Sequence, residues 1–270
     1  KIGGLLRYGI PDFKLSKQIL DRRLEILEEE GIIFLTNKFV GRDISATHLT
    51  QKYDAIILCG GSEKPRDLNI PGRPFKGIHF AMEYLKYCNK YVSGDLSNSD
   101  YSFDLADKKV IVIGGGDTGS DCVGNSNRLG AASVVQIELL GQPPLSRSID
   151  NPWPQWPMTL KTSSSHEEGC EREWAVLTKR FISSDYQNVS GIETVRVEWT
   201  KNNHGSYEMN EIPGSEEYIN ADYIFLAMGF LHPLKEGLLD QLKVPLDERG
   251  NVHATGAYPG VQKILTAGDM

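Results

Sequence analysis

The sequence predicts an α/β protein with two parallel sheets, one formed by a continuous stretch of chain and one split. Four short apolar runs each end on glycine, as buried strands do where the chain turns at the edge of a sheet. These glycines are Gly60, Gly114, Gly229 and Gly268. Two runs lie within 108–232, and the other two come from the first hundred and the last forty residues. We therefore expect a continuous sheet inside a split one.

Length, charge and cysteine spacing limit the function classes. The 270 residues suit two domains, and 29 Lys+Arg against 36 Asp+Glu give a net charge of −7. With no long basic run and no apolar stretch of ~20 residues, neither nucleic acid nor a membrane is an expected partner. The four cysteines form no C-x-x-C pair, so we expect no metal site and a reducing, cytoplasmic location. The N-terminal residues Lys-Ile-Gly-Gly do not resemble a signal peptide. Because Lys1 is not a natural start, we expect a fragment of a longer protein.

The first hundred residues predict one helix, two strands and a boundary. Ser16–Glu30 has helical spacing and ends before Gly31, and a short strand follows at Ile32–Leu35. Thr47–Lys52 could form a helical turn. The run Ala55–Cys59 predicts a buried strand that Gly60 and Gly61 end. Ser93–Asp107 is polar, which indicates a loop and a domain boundary.

The most informative motif is the turn between Gly114 and Gly119, which reads G-x-G-x-x-G and follows the apolar strand Val110–Ile113. In such a motif Gly114 allows a tight turn, Gly116 lets backbone approach a pyrophosphate, and Gly119 lets the next helix pack closely. A helix is predicted over Asp117–Leu129, with Gly130 as its stop. Its first N–H groups, at Asp117 and Thr118, would be offered to phosphate oxygens. This context predicts dinucleotide binding; a glycine turn of an unrelated α/β protein is the alternative.

Glu138 is the candidate ribose ligand. It ends the next predicted strand, Ser133–Leu140, about 20 residues after the last glycine of the motif, where an acid meets the adenosine ribose. A carboxylate there accepts from a free 2′-hydroxyl and repels a 2′-phosphate, which favours NADH over NADPH. The alternative is that Glu138 faces solvent at the strand end.

The remainder predicts a stiff loop, a helix, a hairpin and the last strands. Gln142–Pro157 interleaves proline with Trp153 and Trp156, which would cover a ligand or partner, or pack on their own domain. Ser165 and Glu168 have capping-box spacing, so a helix could run through Cys170–Ala175. This explains His166, Glu167 and Glu168 better than a metal cluster does. Val189–Thr200 and Tyr207–Ile212 alternate as a hairpin, and strands follow at Tyr223–Phe230 and Ile264–Ala267.

Five stretches together resemble one family. They read GGLLRYGIP from Gly3, YDAIILCGGSEKPR from Tyr53, VIGGGDTGSDC from Val112, DNPWPQWP from Asp150, and AGDM at the C-terminus. In this order they resemble the small (β) subunit of glutamate synthase and related pyridine-nucleotide-dependent flavoprotein oxidoreductases.

This resemblance implies two Rossmann-like dinucleotide-binding domains, with a nicotinamide domain (108–232) inserted in an FAD-type domain (1–107 plus 233–270). It implies hydride transfer from NAD(P)H to FAD. Electrons would then pass through iron–sulfur clusters to a large subunit that makes glutamate from 2-oxoglutarate and glutamine. A stand-alone oxidoreductase with another electron acceptor, and a non-catalytic nucleotide-binding module, are the alternatives.

The resemblance also assigns residues by position. Gly114, Gly116 and Gly119 match the nicotinamide-nucleotide motif, and Gly229 matches the end of that domain's last strand. Near the flavin it implies four residues: Gly60, Gly61, Gly268 and Asp269. It places Gly4–Pro11 near the isoalloxazine. No catalytic side chain is expected, because hydride passes directly between cofactors.

The chain departs from the family pattern in what it lacks. The flavin domain's own G-x-G-x-x-G and the cysteine-rich iron–sulfur segment are both missing from the 270 residues. Cys59 and Gly60 also replace a usual Ala-Thr pair. We therefore expect this chain alone to lose FAD and to be inactive, and we expect iron–sulfur clusters only in segments outside it.

Overall fold

The computed structural model describes residues 1–97, 102–202, 204–253 and 264–270. Contacts divide the chain into two compact units. The small-sheet unit comprises 1–2, 24–66 and 229–270, and the large-sheet unit comprises 3–23 and 67–228. The predicted α/β class with parallel sheets is confirmed. Among the described residues, no helix combines the length and the apolar character needed to cross a membrane.

The helices are α1 (Gly4–Tyr8), α2 (Lys17–Glu29), α3 (Ala46–Lys52), α4 (Ala81–Val92), α5 (Asp117–Arg128), α6 (Ser164–Glu167) and α7 (Leu238–Leu242). The strands are β1 (Ile56–Leu58), β2 (Ile78–Phe80), β3 (Lys109–Ile113), β4 (Ser133–Glu138), β5 (Glu171–Trp174), β6 (Val176–Ile182), β7 (Gly191–Lys201), β8 (Tyr207–Glu211), β9 (Glu217–Asn220), β10 (Tyr223–Leu226) and β11 (Ile264–Thr266).

The large-sheet unit is built on a five-stranded parallel sheet in the order β2-β10-β3-β4-β5. Strand β3 lies at its centre and is buried on both faces. Val112 packs with Tyr84 and Cys122 of helices α4 and α5, whereas Ile111 packs with Ile192 of β7. This two-sided burial explains why β3 reads as a continuous apolar run rather than an alternating one.

An antiparallel sheet covers the second face. Its order is β6-β7-β8, and β9 also pairs with β7. The predicted hairpin is confirmed, since Lys201 lies opposite Tyr207 in antiparallel register. The inward-facing residues of β6 and β7 therefore supply the apolar layer that the central sheet needs on that side.

The small-sheet unit contains a two-stranded parallel sheet. Strand β1 pairs with β11, and Ile56 lies opposite Ile264. The prediction that the first hundred and the last forty residues share a sheet is thus confirmed. Helices α3 and α7 pack on one face through buried Ala46 and Leu239.

Two local predictions differ from the structure. The segment 32–35 forms no strand, because no described segment pairs with it, and Ile33 is 83% exposed. The helix predicted from Ser165 through Ala175 is wrong: α6 ends at Glu167, and 171–174 pairs with β4 as strand β5. Tertiary pairing there overrides the local capping signal.

The segment 93–107, predicted to be a loop and a domain boundary, falls within the large-sheet unit when the chain is divided by contacts. Phe103 and Leu105 are buried in the core beside α4. The polar composition of this segment hid two apolar anchors, and residues 98–101 lie outside the described part of the chain.

Candidate functional site

The glycine-rich turn is shaped by two crowded glycines and one open glycine. A Cβ on Gly114 would lie 2.3 Å from the carbonyl oxygen of Ala227, and Gly114 has a φ of 124°. A Cβ on Gly119 would lie 2.2 Å from the carbonyl oxygen of Gly114. A Cβ on Gly116, in contrast, would meet no protein atom within 4 Å. The outer two glycines therefore serve packing, whereas the middle one leaves a surface open to a ligand.

Helix α5 begins at this open surface. Gly116 is its N-cap and provides no side-chain hydrogen bond to the first turn. The first N–H groups of a helix lack intrahelical acceptors and carry partial positive charge. Gly116 and Asp117 are exposed and Thr118 is half-buried, so backbone N–H groups at this helix start are available to a phosphate oxygen.

Glu138 lies against the turn instead of facing solvent. It ends β4, the strand beside β3, and its Oε2 accepts a hydrogen bond from the backbone N–H of Gly115. The side chain is half-buried. The carboxylate is thereby held at the carboxyl edge of the sheet, one residue from the open glycine.

A chain of polar side chains behind the turn was missed by sequence reasoning. Gln136 is 2% exposed, and its Nε2 donates to the carbonyl oxygen of Gly114 at 2.8 Å. His166 Nε2 lies 2.9 Å from Gln136 Oε1, and His166 Nδ1 lies 3.1 Å from the backbone N of Ser163. A signal existed: one amide interrupts the otherwise apolar run Val134–Ile137.

His166 is the most perturbed group in this chain of contacts. Burial, with the positive charges of Arg172 and Lys14, lowers the pKa of His166 to about 4. The ring is therefore neutral near pH 7 and acts as one donor and one acceptor. It completes the capping box at Ser163, a role that the sequence had assigned to Ser165 and Glu168. Among the described residues, no group of three or more His, Cys, Asp or Glu could hold a metal ion.

The loop from Leu139 to Thr162 leaves and returns beside the turn. It leaves after Glu138 and returns at Ser163, whose Oγ lies 2.6 Å from Ser120 Oγ of α5. The Asn151 side chain bonds to the backbone of Trp156 and Met158 and stiffens the loop. Trp153 and Trp156 are 82% and 73% exposed, and Lys161 Nζ lies 4.0 Å from the centroid of the Trp156 ring, so most of each ring surface is open to solvent.

A second glycine cluster lies in the small-sheet unit, after the paired strands β1 and β11. The Gly61 N–H lies 3.2 Å from Met270 Sδ, and Ser62 Oγ donates to the Asp269 carbonyl at 3.1 Å. The structure thus brings together four predicted residues: Gly60, Gly61, Gly268 and Asp269. Gly61 and Gly268 have φ values of 72° and 74°, and a Cβ on either would meet nothing within 4 Å.

An apolar cleft of about 390 Å³ adjoins this cluster. Its lining includes Phe39, Leu49, Gly60 and Leu238, and Met270 borders it. Gly229 also belongs to this unit; its carbonyl accepts a hydrogen bond from the Arg66 N–H at 3.0 Å, and its φ is 79°. Its backbone is thereby fixed just after β10.

The segment Gly4–Pro11, which the resemblance places near the isoalloxazine, lies in the large-sheet unit. It contains helix α1, and Arg7 pairs with Asp21 at 2.5 Å. The Gly9 carbonyl accepts from the Asn89 side chain at 3.3 Å. These contacts fix the segment, but they do not test its predicted role.

Comparison with known proteins gives a matching family model, described as pyridine nucleotide-disulphide oxidoreductase, over residues 15–270. A glutamate synthase (NADH) of Schizosaccharomyces pombe is 47% identical over 99% of this chain, which covers 13% of that protein. A glutamate synthase (NADPH) small chain of Mycobacterium tuberculosis is 41% identical over all of this chain. The chain spans 55% of that relative's length, about half. The sequence resemblance is therefore confirmed.

Solved structures support the fold at low sequence identity. FprA of Mycobacterium tuberculosis, in complex with NADPH, superimposes with a TM-score of 0.69 at 16% identity. The match covers 97% of this chain and 68% of FprA. At this identity the likeness concerns the fold alone.

Proposed function

The chain belongs to the pyridine nucleotide-disulphide oxidoreductase family, and from that premise we propose that its glycine turn binds the nicotinamide dinucleotide of a glutamate-synthase-type small subunit. One observation carries this proposal. Of the three glycines in the motif, only Gly116 faces open space, at the start of a twelve-residue helix. A backbone so exposed suits close approach by a pyrophosphate.

The residues fit the dinucleotide in a consistent order. The Gly116 backbone and the first N–H groups of α5, at Asp117 and Thr118, would hold the phosphates. Glu138 would accept from the adenosine ribose. Gly229 is assigned to dinucleotide binding only by its sequence position after the last strand of the predicted nicotinamide domain. When bound, NAD(P)H supplies a hydride, and the protein's part is to position it and exclude competing reactions.

NADH is the proposed ligand in preference to NADPH. The Glu138 carboxylate is held beside the turn by the Gly115 N–H. A negative charge there would repel a 2′-phosphate and accept from a 2′-hydroxyl. Leu139, Leu140 and Gly141 follow it, so no cation comes next in sequence. The relative at 47% identity is named for NADH and the one at 41% for NADPH, so the preference rests on Glu138 alone.

The cluster in the small-sheet unit is proposed to serve FAD. From the resemblance we assign 1–107 plus 233–270 to an FAD-type domain and 108–232 to the inserted nicotinamide domain, whereas contacts group the described residues of 67–107 with the large-sheet unit. The parallel pairing of β1 and β11 supports this assignment, since it joins Gly60 and Gly61 to Gly268 and Asp269. Only one G-x-G-x-x-G occurs in the 270 residues, so we expect this chain alone to purify without stoichiometric flavin.

In its whole protein, this chain would pass electrons from NADH through FAD to a large glutamate synthase subunit in the cytoplasm. Glutamate would form there from 2-oxoglutarate and glutamine. A stand-alone oxidoreductase with another acceptor makes a different prediction. NADH oxidation by the longer protein with its large subunit should require both glutamine and 2-oxoglutarate. Oxidation at an equal rate without them would support the stand-alone alternative.

Direct binding tests the proposal for this chain. Isothermal titration of the purified protein with NADH and with NADPH should give saturable 1:1 binding, tighter for NADH. Gly116→Ala should abolish most of it. If neither dinucleotide binds at millimolar concentration, the proposed site is wrong; if NADPH binds more tightly, the preference assigned to Glu138 is wrong.

A further inference from the structure

The peptide between Gly114 and Gly115 is held at both of its polar groups by one strand. Its carbonyl accepts from Gln136 Nε2 at 2.8 Å, and its N–H donates to Glu138 Oε2. Gln136 and Glu138 are two residues apart on β4, so they share one face of that strand. Because the C=O and N–H of a trans peptide point in opposite directions, two such contacts fix the rotation of the peptide plane.

We propose that Gln136, oriented by His166, is a positioning residue that sets the glycine turn for dinucleotide binding. The peptide it holds lies directly before Gly116, the glycine that faces open space. If this peptide rotated, the backbone that follows it into α5 would present its N–H groups in another direction. The nature of the ligand rests on the proposed function; the holding of the turn does not.

The hydrogen bonds have only one consistent polarity. The Ser163 backbone N–H can only donate, so His166 Nδ1, 3.1 Å away, must be its acceptor. The neutral ring then carries its proton on Nε2 and donates to Gln136 Oε1 at 2.9 Å. This leaves the amide NH₂ of Gln136 for the Gly114 carbonyl. His166 thus decides which end of the Gln136 amide faces the turn.

The position of the Gln136 amide also restricts the third glycine of the motif, Gly119, to a residue without a side chain. A Cβ on Gly119 would lie 2.6 Å from Gln136 Nε2 as well as 2.2 Å from the Gly114 carbonyl oxygen. The absent side chain therefore makes room for the amide and its hydrogen bond. A buried amide without hydrogen-bond partners would destabilise the folded protein. Gln136 is therefore compatible with this buried position because its amide is hydrogen-bonded to the Gly114 carbonyl and to His166.

The cap at Ser163 ties the first turn of α5 to the same arrangement. Ser163 Oγ lies 2.6 Å from Ser120 Oγ, and Lys14 Nζ donates to Ser120 Oγ at 3.0 Å. Lys14 also pairs with Asp121. The residues at the start of α6 thus contact both parts of the turn: Ser163 contacts Ser120 in the first turn of α5, and His166 contacts Gln136, which holds the peptide before Gly116.

Hydrogen exchange of the ligand-free protein tests the positioning directly. Gln136→Glu keeps the size and can still accept from His166, but it puts a carboxylate oxygen against the Gly114 carbonyl. Gln136→Met keeps the length and removes both polar contacts. In each variant, amide exchange across 114–119 should accelerate by about tenfold or more, because the peptide between Gly114 and Gly115 loses the hydrogen bond at its carbonyl and is held only at its N–H. The Kd for NADH should rise by about tenfold.

Ser126→Ala is the matched control. Ser126 is a buried polar residue like Gln136, but it lies on α5, where its Oγ donates to the Cys122 carbonyl of the same helix at 2.7 Å and does not touch the turn. It should lower the melting temperature without accelerating exchange at 114–119 or weakening NADH. A general loss of stability would move the control and the Gln136 variants alike.

The outcomes separate the two proposals. Unchanged exchange at 114–119 in Gln136→Glu and Gln136→Met would overturn the positioning role, even if the parent protein binds NADH. Accelerated exchange confined to this segment would support it, even if the parent protein binds neither dinucleotide, in which case the proposed function alone fails.

Discussion

Replacing Gly116 and Gly119 separately by alanine should separate ligand binding from packing. A Cβ on Gly119 would lie 2.2 Å from the Gly114 carbonyl oxygen and 2.6 Å from Gln136 Nε2, so backbone and amide must both shift. Overpacking of this kind costs about 1–3 kcal/mol. For a protein of this size, 1 kcal/mol lowers the melting temperature by roughly 2–4 °C. We therefore expect Gly119→Ala to melt about 2–12 °C lower.

Gly116→Ala should behave in the opposite way. Its φ of −80° and ψ of −174° are open to alanine, and its Cβ would meet no protein atom within 4 Å. Alanine is a slightly poorer N-cap than glycine, which costs about 0.5 kcal/mol. The new methyl group would instead occupy the space of the pyrophosphate, so NADH binding should weaken by about a hundredfold or more.

Differential scanning fluorimetry and calorimetric titration of both variants make the comparison. The reasoning is refuted if Gly116→Ala binds NADH as the parent protein does while folding normally. It is equally refuted if Gly119→Ala melts at the parent temperature, because the contacts at 2.2 and 2.6 Å would then carry no cost.

Three further measurements test single groups. Glu138→Gln should raise the Kd for NADH by about tenfold, which corresponds to the loss of a hydrogen bond to a charged group, and should bring the Kd values for NADH and NADPH closer together in titrations. An unchanged ratio of the two Kd values would show that Glu138 does not take part in ribose recognition. The pKa of His166 is about 4 in the folded protein and about 6.5 in the unfolded chain. Between these pH values the unfolded state binds more protons, so the free energy of unfolding decreases as the pH falls from 6.5 to 4. Since the ring is only partly buried, we expect the parent protein to lose about 1–2 kcal/mol more of its free energy of unfolding over this range than His166→Gln does, as measured by urea unfolding. The same pH dependence in both proteins would contradict this expectation. Burial raises the pKa of the Cys88 thiol to about 12 and also raises the pKa of the Cys122 thiol well above its ordinary value. In a thiol titration, exposed Cys59 should therefore react first and these two cysteines only on unfolding; early labelling of Cys122 would contradict their burial.

Local signals predicted most of the central sheet. Strand β3, helix α5 and strand β4 lie within two residues of their predicted ends, because β-branched runs, a glycine turn and Gly130 each act over a few residues. The pairing of β1 with β11 also followed from sequence, since both are short apolar runs that end on glycine. Where a strand needs a partner that sequence does not name, prediction failed: 32–35 stayed unpaired and 171–174 became β5.

The candidate site shows the same division. The sequence by itself determined the dinucleotide turn, because glycine spacing encodes a backbone shape that few other residues can adopt. Three features needed the folded structure: of the three motif glycines only Gly116 is open, Glu138 accepts from the Gly115 N–H, and Gln136 and His166 hold the turn from behind. These are contacts between side chains and backbone 22 to 30 residues apart, fixed by strand register and helix packing. No local pattern specifies such contacts, since each depends on which atoms the whole fold brings within hydrogen-bond distance.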